Sequence, residues 1–230
     1  MLYENYEQVV ENVKKACERS GRNFQDVTII AVSKTKPLSD VEELLSHGVM
    51  EFGENKVQEM VDKYEHVSKP VHWHLIGHLQ TNKVKYIVDK ACMIHSVDSV
   101  HLAKEIEKEA AKKDVIVNVL LEINIAQEET KFGIREDEVY SLIDAIKDMP
   151  HIRVKGLMTI APFVENPEEN RGYFREMHQL SLDIKSKCID NIDMNVLSMG
   201  MTNDYEIAVE EGATMIRVGT AIFGARNYNI

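Results

Sequence analysis

The sequence predicts a closed, parallel (β/α)8 barrel of the TIM type, and three observations carry that prediction. Eight short apolar runs, most of them β-branched, alternate with helix-patterned segments along the 230 residues. The runs are nearly continuous rather than alternating apolar with polar, as strands covered on both faces must be. No two runs are joined by a hairpin-sized turn. The first leads into Ser33-Lys34-Thr35-Lys36-Pro37, without the glycine-rich turn that a doubly wound open sheet usually carries there.

Residues 3–19 read as a helix with Val9, Val10, Val13 and Ala16 on one face, stopped by Ser20-Gly21. Residues 27–32 form the first strand, and 40–47 a helix ending at Gly48. A short second strand at 51–53 precedes a helix through about Tyr64. The third strand spans 71–76, followed by a helix at 82–88; the fourth spans 92–97, followed by a strong helix at 100–112. The longest apolar run, 115–125, is the fifth strand, with a helix at 137–147. The sixth strand covers 152–160, with a long helix at 168–187. The seventh is 195–198 with a helix at 205–210, and the eighth is 215–218. Only residues 221–230 follow, too few for a full outer helix, so the N-terminal helix (residues 1–20) is expected to pack over that gap. The whole chain, 1–230, reads as one barrel domain.

The formal net charge of −11 repels phosphate backbones and anionic membranes at long range, which argues against nucleic-acid or membrane partners. Cys17, Cys92 and Cys188 are odd in number and widely spaced, so they suggest reduced thiols rather than disulfides or a zinc ribbon. The N-terminus lacks a basic region leading into an apolar stretch, and no apolar run approaches the ~18 residues needed to span a bilayer. A cytoplasmic location is expected.

Active sites of such barrels gather at the C-terminal ends of the strands. At the end of strand one, alternation puts Thr28, Ile30, Val32 and Lys34 on one face. A lysine whose stem packs among apolar neighbours has a lowered pKa and a nucleophilic amine. The alternative is a solvated lysine opening a loop. Lys36 lies further out beside Pro37, Lys83 and Lys85 fall in a helix, and Lys155 interrupts strand six, so none competes well. Strands seven and eight end in Ser198-Met199-Gly200-Met201 and Arg217-Val218-Gly219-Thr220. Barrels often bind phosphate on these two loops, with glycines admitting backbone N–H groups and Ser198 and Thr220 adding hydroxyls. Ordinary turn and cap chemistry is the competing account. Locally, Asn55 reads as a helix N-cap with Gln58 completing a capping box. His72 and His74 share one face of strand three near His78. A zinc site would need further ligands from other strands, and Arg217 opposes a cation, so packing and hydrogen bonding is the preferred account.

Five motifs spread along the chain resemble the pyridoxal-phosphate homeostasis proteins. They are residues 31–37 (AVSKTKP), 52–55 (FGEN), 73–80 (WHLIGHLQ), 197–201 (LSMGM) and 217–224 (RVGTAIFG). The resemblance covers about residues 5–228. It implies a fold-type III barrel like the N-terminal domain of alanine racemase, with pyridoxal 5′-phosphate (PLP) on a Schiff-base lysine that falls on Lys34. It places phosphate contacts on Ser198, Gly200, Gly219 and Thr220, the arginine facing the pyridine nitrogen on Arg217, and a cofactor-proximal asparagine on Asn55, against the cap reading. Arg217 beside that nitrogen disfavours its protonation and weakens the ring as an electron sink.

The implied role is a carrier and buffer in intracellular PLP homeostasis, supplying PLP-dependent apoenzymes, without robust catalysis and with no metal. A PLP-dependent amino-acid racemase is the alternative. Racemisation needs a second acid/base group, which alanine racemase draws from an additional C-terminal domain across a dimer. No such domain is expected in this chain, so racemase activity is expected to be weak or absent and the chain is expected to be monomeric. A metal-dependent hydrolase would instead hold zinc.

Overall fold

The computed structural model describes residues 1–225. Strands β1 (Thr28–Val32), β2 (Glu51–Glu54), β3 (His72–Leu75), β4 (Ala91–Val97), β5 (Val117–Glu122), β6 (Ile152–Met158), β7 (Ile192–Met201) and β8 (Met215–Val218) follow one another around a closed barrel. Every pairing is parallel, and β1 closes the ring on β8 with Ile30 opposite Arg217. Between them run α2 (Leu38–Ser46), α3 (Val57–His66), α4 (Val100–Lys113), α5 (Val139–Ile146), α6 (Arg171–Ser186) and α7 (Tyr205–Glu210), with α1 (Leu2–Ser20) before the barrel and α8 (Thr220–Phe223) after β8.

Strand alternation sorts the side chains into two sets. Ile29, Ala31, Phe52, Trp73, Leu75, Val119, Leu121, Leu197, Ile216 and Val218 join the large apolar layer shared with the helices. Met93, Leu120 and Met158 form a separate small cluster inside the barrel, with Cys92, Val196 and Met215 against it. Beside Ile30, the interior also holds the buried polar side chains of His74, His95, Glu122, Ser198 and Arg217, which define the site.

Helix α1 lies across the segment after β8. Asn5 Nδ2 donates to Ile222 O at 2.9 Å, and Asn12 Nδ2 to the Tyr205 hydroxyl at 2.9 Å. Arg19 pairs with Glu206 and Glu210 of α7. Arg22 caps the end of α7 by donating to the carbonyls of Val209 and Ala213.

Three elements differ from the sequence expectation. Residues 81–86 form a 3-10 turn rather than an α-helix, because the segment buries Val84 alone and so lacks an apolar stripe. β5 stops at Glu122, well short of residue 125. Asn124 and Ile134 exchange the chain onto its own following loop, with Asn124 N–H on Ile134 O and Ile134 N–H on Glu122 O. β7 is longer than expected, starting at Ile192. At Gly156 the backbones of β6 and β7 approach so closely that a Cβ there would lie 1.7 Å from Val196 O. The C-terminal residues 226–230, part of the stretch counted in the sequence, lie outside the described residues.

Candidate functional site

Lys34 opens a tight turn directly after β1 and is half-buried. The turn is closed by Lys36 N–H donating to Ser33 O at 3.0 Å. Thr35 follows with φ 63°, a left-handed conformation rare for a β-branched residue. Such strain persists only where the surroundings over-determine it. Here they do, and the agent is a buried lysine. Lys63 of α3, 4% exposed, places its ammonium 2.8 Å from Ser33 O, 2.7 Å from Glu54 Oε1 and 2.9 Å from Glu59 Oε1. Glu59 Oε1 in turn accepts the Thr35 N–H, and the Ser33 hydroxyl donates to Glu54 at 2.6 Å. The residues on both sides of Lys34 are thus fixed to one cation. Burial pushes the Glu54 carboxyl up, while Lys63 and Ser33 pull it down. Nothing in the sequence reading singled out Lys63. Its signal is that it falls three residues after Met60, on the apolar stripe of α3.

Asn55 follows β2. The cap expected there is not formed: Lys56 occupies the N-cap of α3, and no side chain caps it. The Asn55 Oδ1 is buried and meets no hydrogen-bond partner among the described residues. The loop after β3 passes close beside this residue. A Cβ on Gly77 would lie 2.4 Å from Asn55 O, so only glycine lets the two loops touch.

Arg217 is 3% exposed on the inner face of β8. It donates to Ser198 Oγ at 2.6 Å and to Thr159 O at 2.8 Å. Burial pulls its pKa down to about 10, against the supporting charges of Glu122 and Asp204. The Ser198 hydroxyl is fully buried, and Arg217 and His95 both engage its Oγ.

Glu122 ends β5 with one carboxylate oxygen lacking a partner among the described residues. Burial, then Asp98, pushes its pKa up to about 7 against the pull of Arg217. The folded chain therefore keeps a proton that the unfolded chain releases near 4.5. This group's contribution to stability is present below that value and is lost as pH rises to about 7. Urea unfolding compared at pH 4.5 and about pH 8 should show wild type losing about 3 kcal/mol more than Glu122→Gln. An equal loss in both proteins would show that Glu122 does not titrate in this way.

A row of buried polar groups leads away from Arg217 across the barrel. His95 Nδ1 lies 3.0 Å from Ser198 Oγ, His95 Nε2 lies 2.9 Å from His74 Nδ1, and His74 Nε2 lies 2.8 Å from Glu51 Oε2. His72 adds a 2.6 Å contact to the other Glu51 oxygen, at the barrel's N-terminal end. His95 gave no distinct signal in the sequence beyond sitting two residues after Met93 inside an apolar strand. Of the three histidines weighed there, His74 is buried within the barrel, while His72 is exposed at its N-terminal end. His78 sits apart, stacked on Phe132 with ring centroids 3.9 Å apart and 3.7 Å from Asp98. Among the described residues, Glu51, His74 and Cys92 bring three donor atoms within 4.8 Å. The Glu51–His74 contact has hydrogen-bond length, and burial followed by Glu51 pushes the Cys92 thiol up to about 12, which disfavours a thiolate ligand.

Gly200 lies near the end of β7, where Met201 pairs with Arg217 of β8, so the two loops expected to hold an anion adjoin. Gly219 and exposed Thr220 begin α8. Asp204 fixes the loop between them, accepting Met201 N–H at 2.8 Å and Asn170 Nδ2 at 2.8 Å.

The family model for the alanine racemase N-terminal domain matches residues 5–227. The chain is 43% identical over 226 residues to the pyridoxal phosphate homeostasis protein of Aquifex aeolicus (strain VF5), covering 98% of each. It is 36% identical over 232 residues to the protein of that name from Escherichia coli (strain K12), covering 98% of this chain and 97% of that one. Among solved structures, PipY of Synechococcus elongatus PCC7942 with PLP bound superposes with a TM-score of 0.81 at 30% identity, covering 93% of this chain and 100% of that one. Alanine racemase of Clostridium difficile 630 in complex with cycloserine gives a TM-score of 0.75 at 14% identity, covering 99% of this chain and 60% of that one. At that identity the likeness concerns fold alone.

Proposed function

Because this chain belongs to the family of pyridoxal phosphate homeostasis proteins, built on the alanine racemase N-terminal fold, we propose that it binds PLP on Lys34 and serves in intracellular homeostasis of that cofactor. The observation that carries the assignment to Lys34 is the clamp on its turn: Ser33 and Thr35 are both tied to the buried Lys63, directly or through Glu59. The side chain between them is thereby presented from a rigid base at the C-terminal end of β1.

The interior fits the group. It offers a half-buried primary amine, a buried guanidinium, and buried oxygens on Asn55 and Glu122 that lack partners among the described residues. Bound PLP supplies an aldehyde that condenses reversibly with a primary amine, with loss of water. Lys34 provides the amine. Arg217, held by Ser198 and Thr159, provides a fixed cation for the ring nitrogen. Asn55 has an amide free to contact the ring. Gly200, Gly219 and Thr220 line the adjoining β7 and β8 loops and would receive the phosphate through backbone N–H groups and the Thr220 hydroxyl. Ser198 serves the site by holding Arg217.

Borohydride reduction of the PLP-loaded protein, followed by peptide mapping, should place one adduct on Lys34 and none after Lys34→Ala. The informative competitor is Lys36, whose ammonium already donates to Phe223 O at 2.8 Å. An adduct on Lys36 with Lys34 unmodified would overturn the assignment.

The finer reading is a cytoplasmic monomer that hands PLP to apoenzymes. Its support is three free cysteines and the spread of exposed apolar side chains, such as Met50, Ile116 and Phe163, over separate segments. Among the described residues, no helix is long and apolar enough to cross a membrane. Light scattering and transfer of PLP to a purified apoenzyme test the two remaining parts.

A further inference from the structure

The row from Arg217 to Glu51 has a direction. Arginine donates and never accepts, so the Ser198 Oγ must accept from Arg217 Nη1. Ser198 keeps one hydroxyl hydrogen, and the acceptor in reach is His95 Nδ1 at 3.0 Å. With Nδ1 accepting, the His95 hydrogen sits on Nε2 and is donated to His74 Nδ1. His74 then carries its hydrogen on Nε2 and donates it to Glu51 Oε2. Every donor has an acceptor, and the sequence of dipoles runs from a buried cation to a carboxylate.

The opposite order requires His95 Nδ1 to donate to Ser198. The serine hydrogen would then have no acceptor among the described residues. It would compete with Arg217 for the same small space, which is costly in a dry interior. Two further facts agree. Burial, His74 and Arg217 together hold the His95 pKa well below the ordinary histidine value, so its ring is neutral. Glu51, although burial alone would raise its pKa, is held low by hydrogen bonds from His74 and His72, and is an anion able to terminate the row.

We propose that His95 and His74 are positioning residues: anchored on Glu51, they fix the Ser198 hydroxyl so that its lone pair faces Arg217 and holds the guanidinium in place for the cofactor ring. The part concerning the ring rests on the PLP reading above; the proton order does not. The groups act from strands β2, β3 and β4, of which β4 lies opposite β8 in the closed ring.

Two measurements test this separately. In PLP-free protein, nitrogen-15 spectra of the histidine rings should show His95 and His74 both neutral with hydrogen on Nε2. Hydrogen on Nδ1 of His95, or a doubly protonated His74 at neutral pH, overturns the proposal whether or not the protein binds PLP. In PLP-loaded protein, His95→Leu should weaken PLP binding about 10-fold and shift the absorbance band of the bound cofactor. His95→Asn, whose side-chain oxygen can still accept from Ser198, should stay within about 3-fold with the band near its original position. A structural role alone would lower stability in both variants and leave the band unmoved, and that outcome also overturns the proposal. If wild type binds no PLP, the functional reading fails while the nitrogen-15 result still decides the proton order.

Discussion

Lys63→Met should destabilise the protein by roughly 3–5 kcal/mol and strip the Lys34 turn of its support. The magnitude follows from what remains. Glu54, fully buried, would lose the ammonium 2.7 Å away and retain only the Ser33 hydroxyl on that oxygen; its other oxygen already lacks a partner among the described residues. Ser33 O and Glu59 would lose the same cation at once. Glu59, released, no longer holds the left-handed Thr35 in place, and the turn relaxes. Denaturant unfolding gives the stability loss, and the yield of borohydride-trapped PLP gives the effect on the site. Adding Glu54→Leu should recover part of the stability, since an apolar pair can replace a buried ion pair at little cost. It should not recover trapping, because Ser33 and Thr35 stay unclamped. A stability loss under about 1 kcal/mol for Lys63→Met would show that the cluster does not support the fold in this way.

Gly156→Ala should cost more than about 4 kcal/mol and lower the melting temperature by about 10 °C or more. The new methyl carbon would be built 1.7 Å from Val196 O, a backbone atom of β7 that no rotamer change can move. β6 and β7 must then separate where their register already shifts, and Met158, opposite Ser198, lies two residues on. The strain therefore propagates towards the serine that holds Arg217. Calorimetric unfolding of the single variant reads the effect. A melting point within about 3 °C of wild type would mean that the barrel yields at this point far more easily than the packing of the two strands implies.

The barrel was legible because its strands are buried on both faces and so read as apolar runs, while glycine or a charge cluster ends most helices. Short elements were less so. Residues 81–86 carry helix-like composition, but they bury too little to hold an α-helix. Parity offered Lys34 as a candidate, since alternation through Ile30 and Val32 reaches it, but left a solvated loop lysine as the alternative. Asn55 was misread locally: its neighbour Lys56 takes the cap position, and only the approach of Gly77 in three dimensions shows why Asn55 lies where it does. Lys63 and His95 were passed over for a common reason. A lysine among Asp62 and Glu65, or one histidine of nine, looks like solvated surface until the other strands supply its partners. Ser198 was placed at the end of the seventh strand, but its contacts to Arg217 and His95 were not legible, because sequence spacing does not say which side chains of other strands reach a hydroxyl.

The seam between the first and last strands has a temporal consequence. Residues 28–31 find their second edge partner in residues 215–218, so a nascent chain cannot complete the ring until β8 has been translated. Until then Ile29 and Ala31 lack one flank, and contacts of such long range are slow to form. The flank of β1 on the β8 side therefore closes late, whereas the clamp on the Lys34 turn, drawn entirely from residues 33–63, needs nothing from β8.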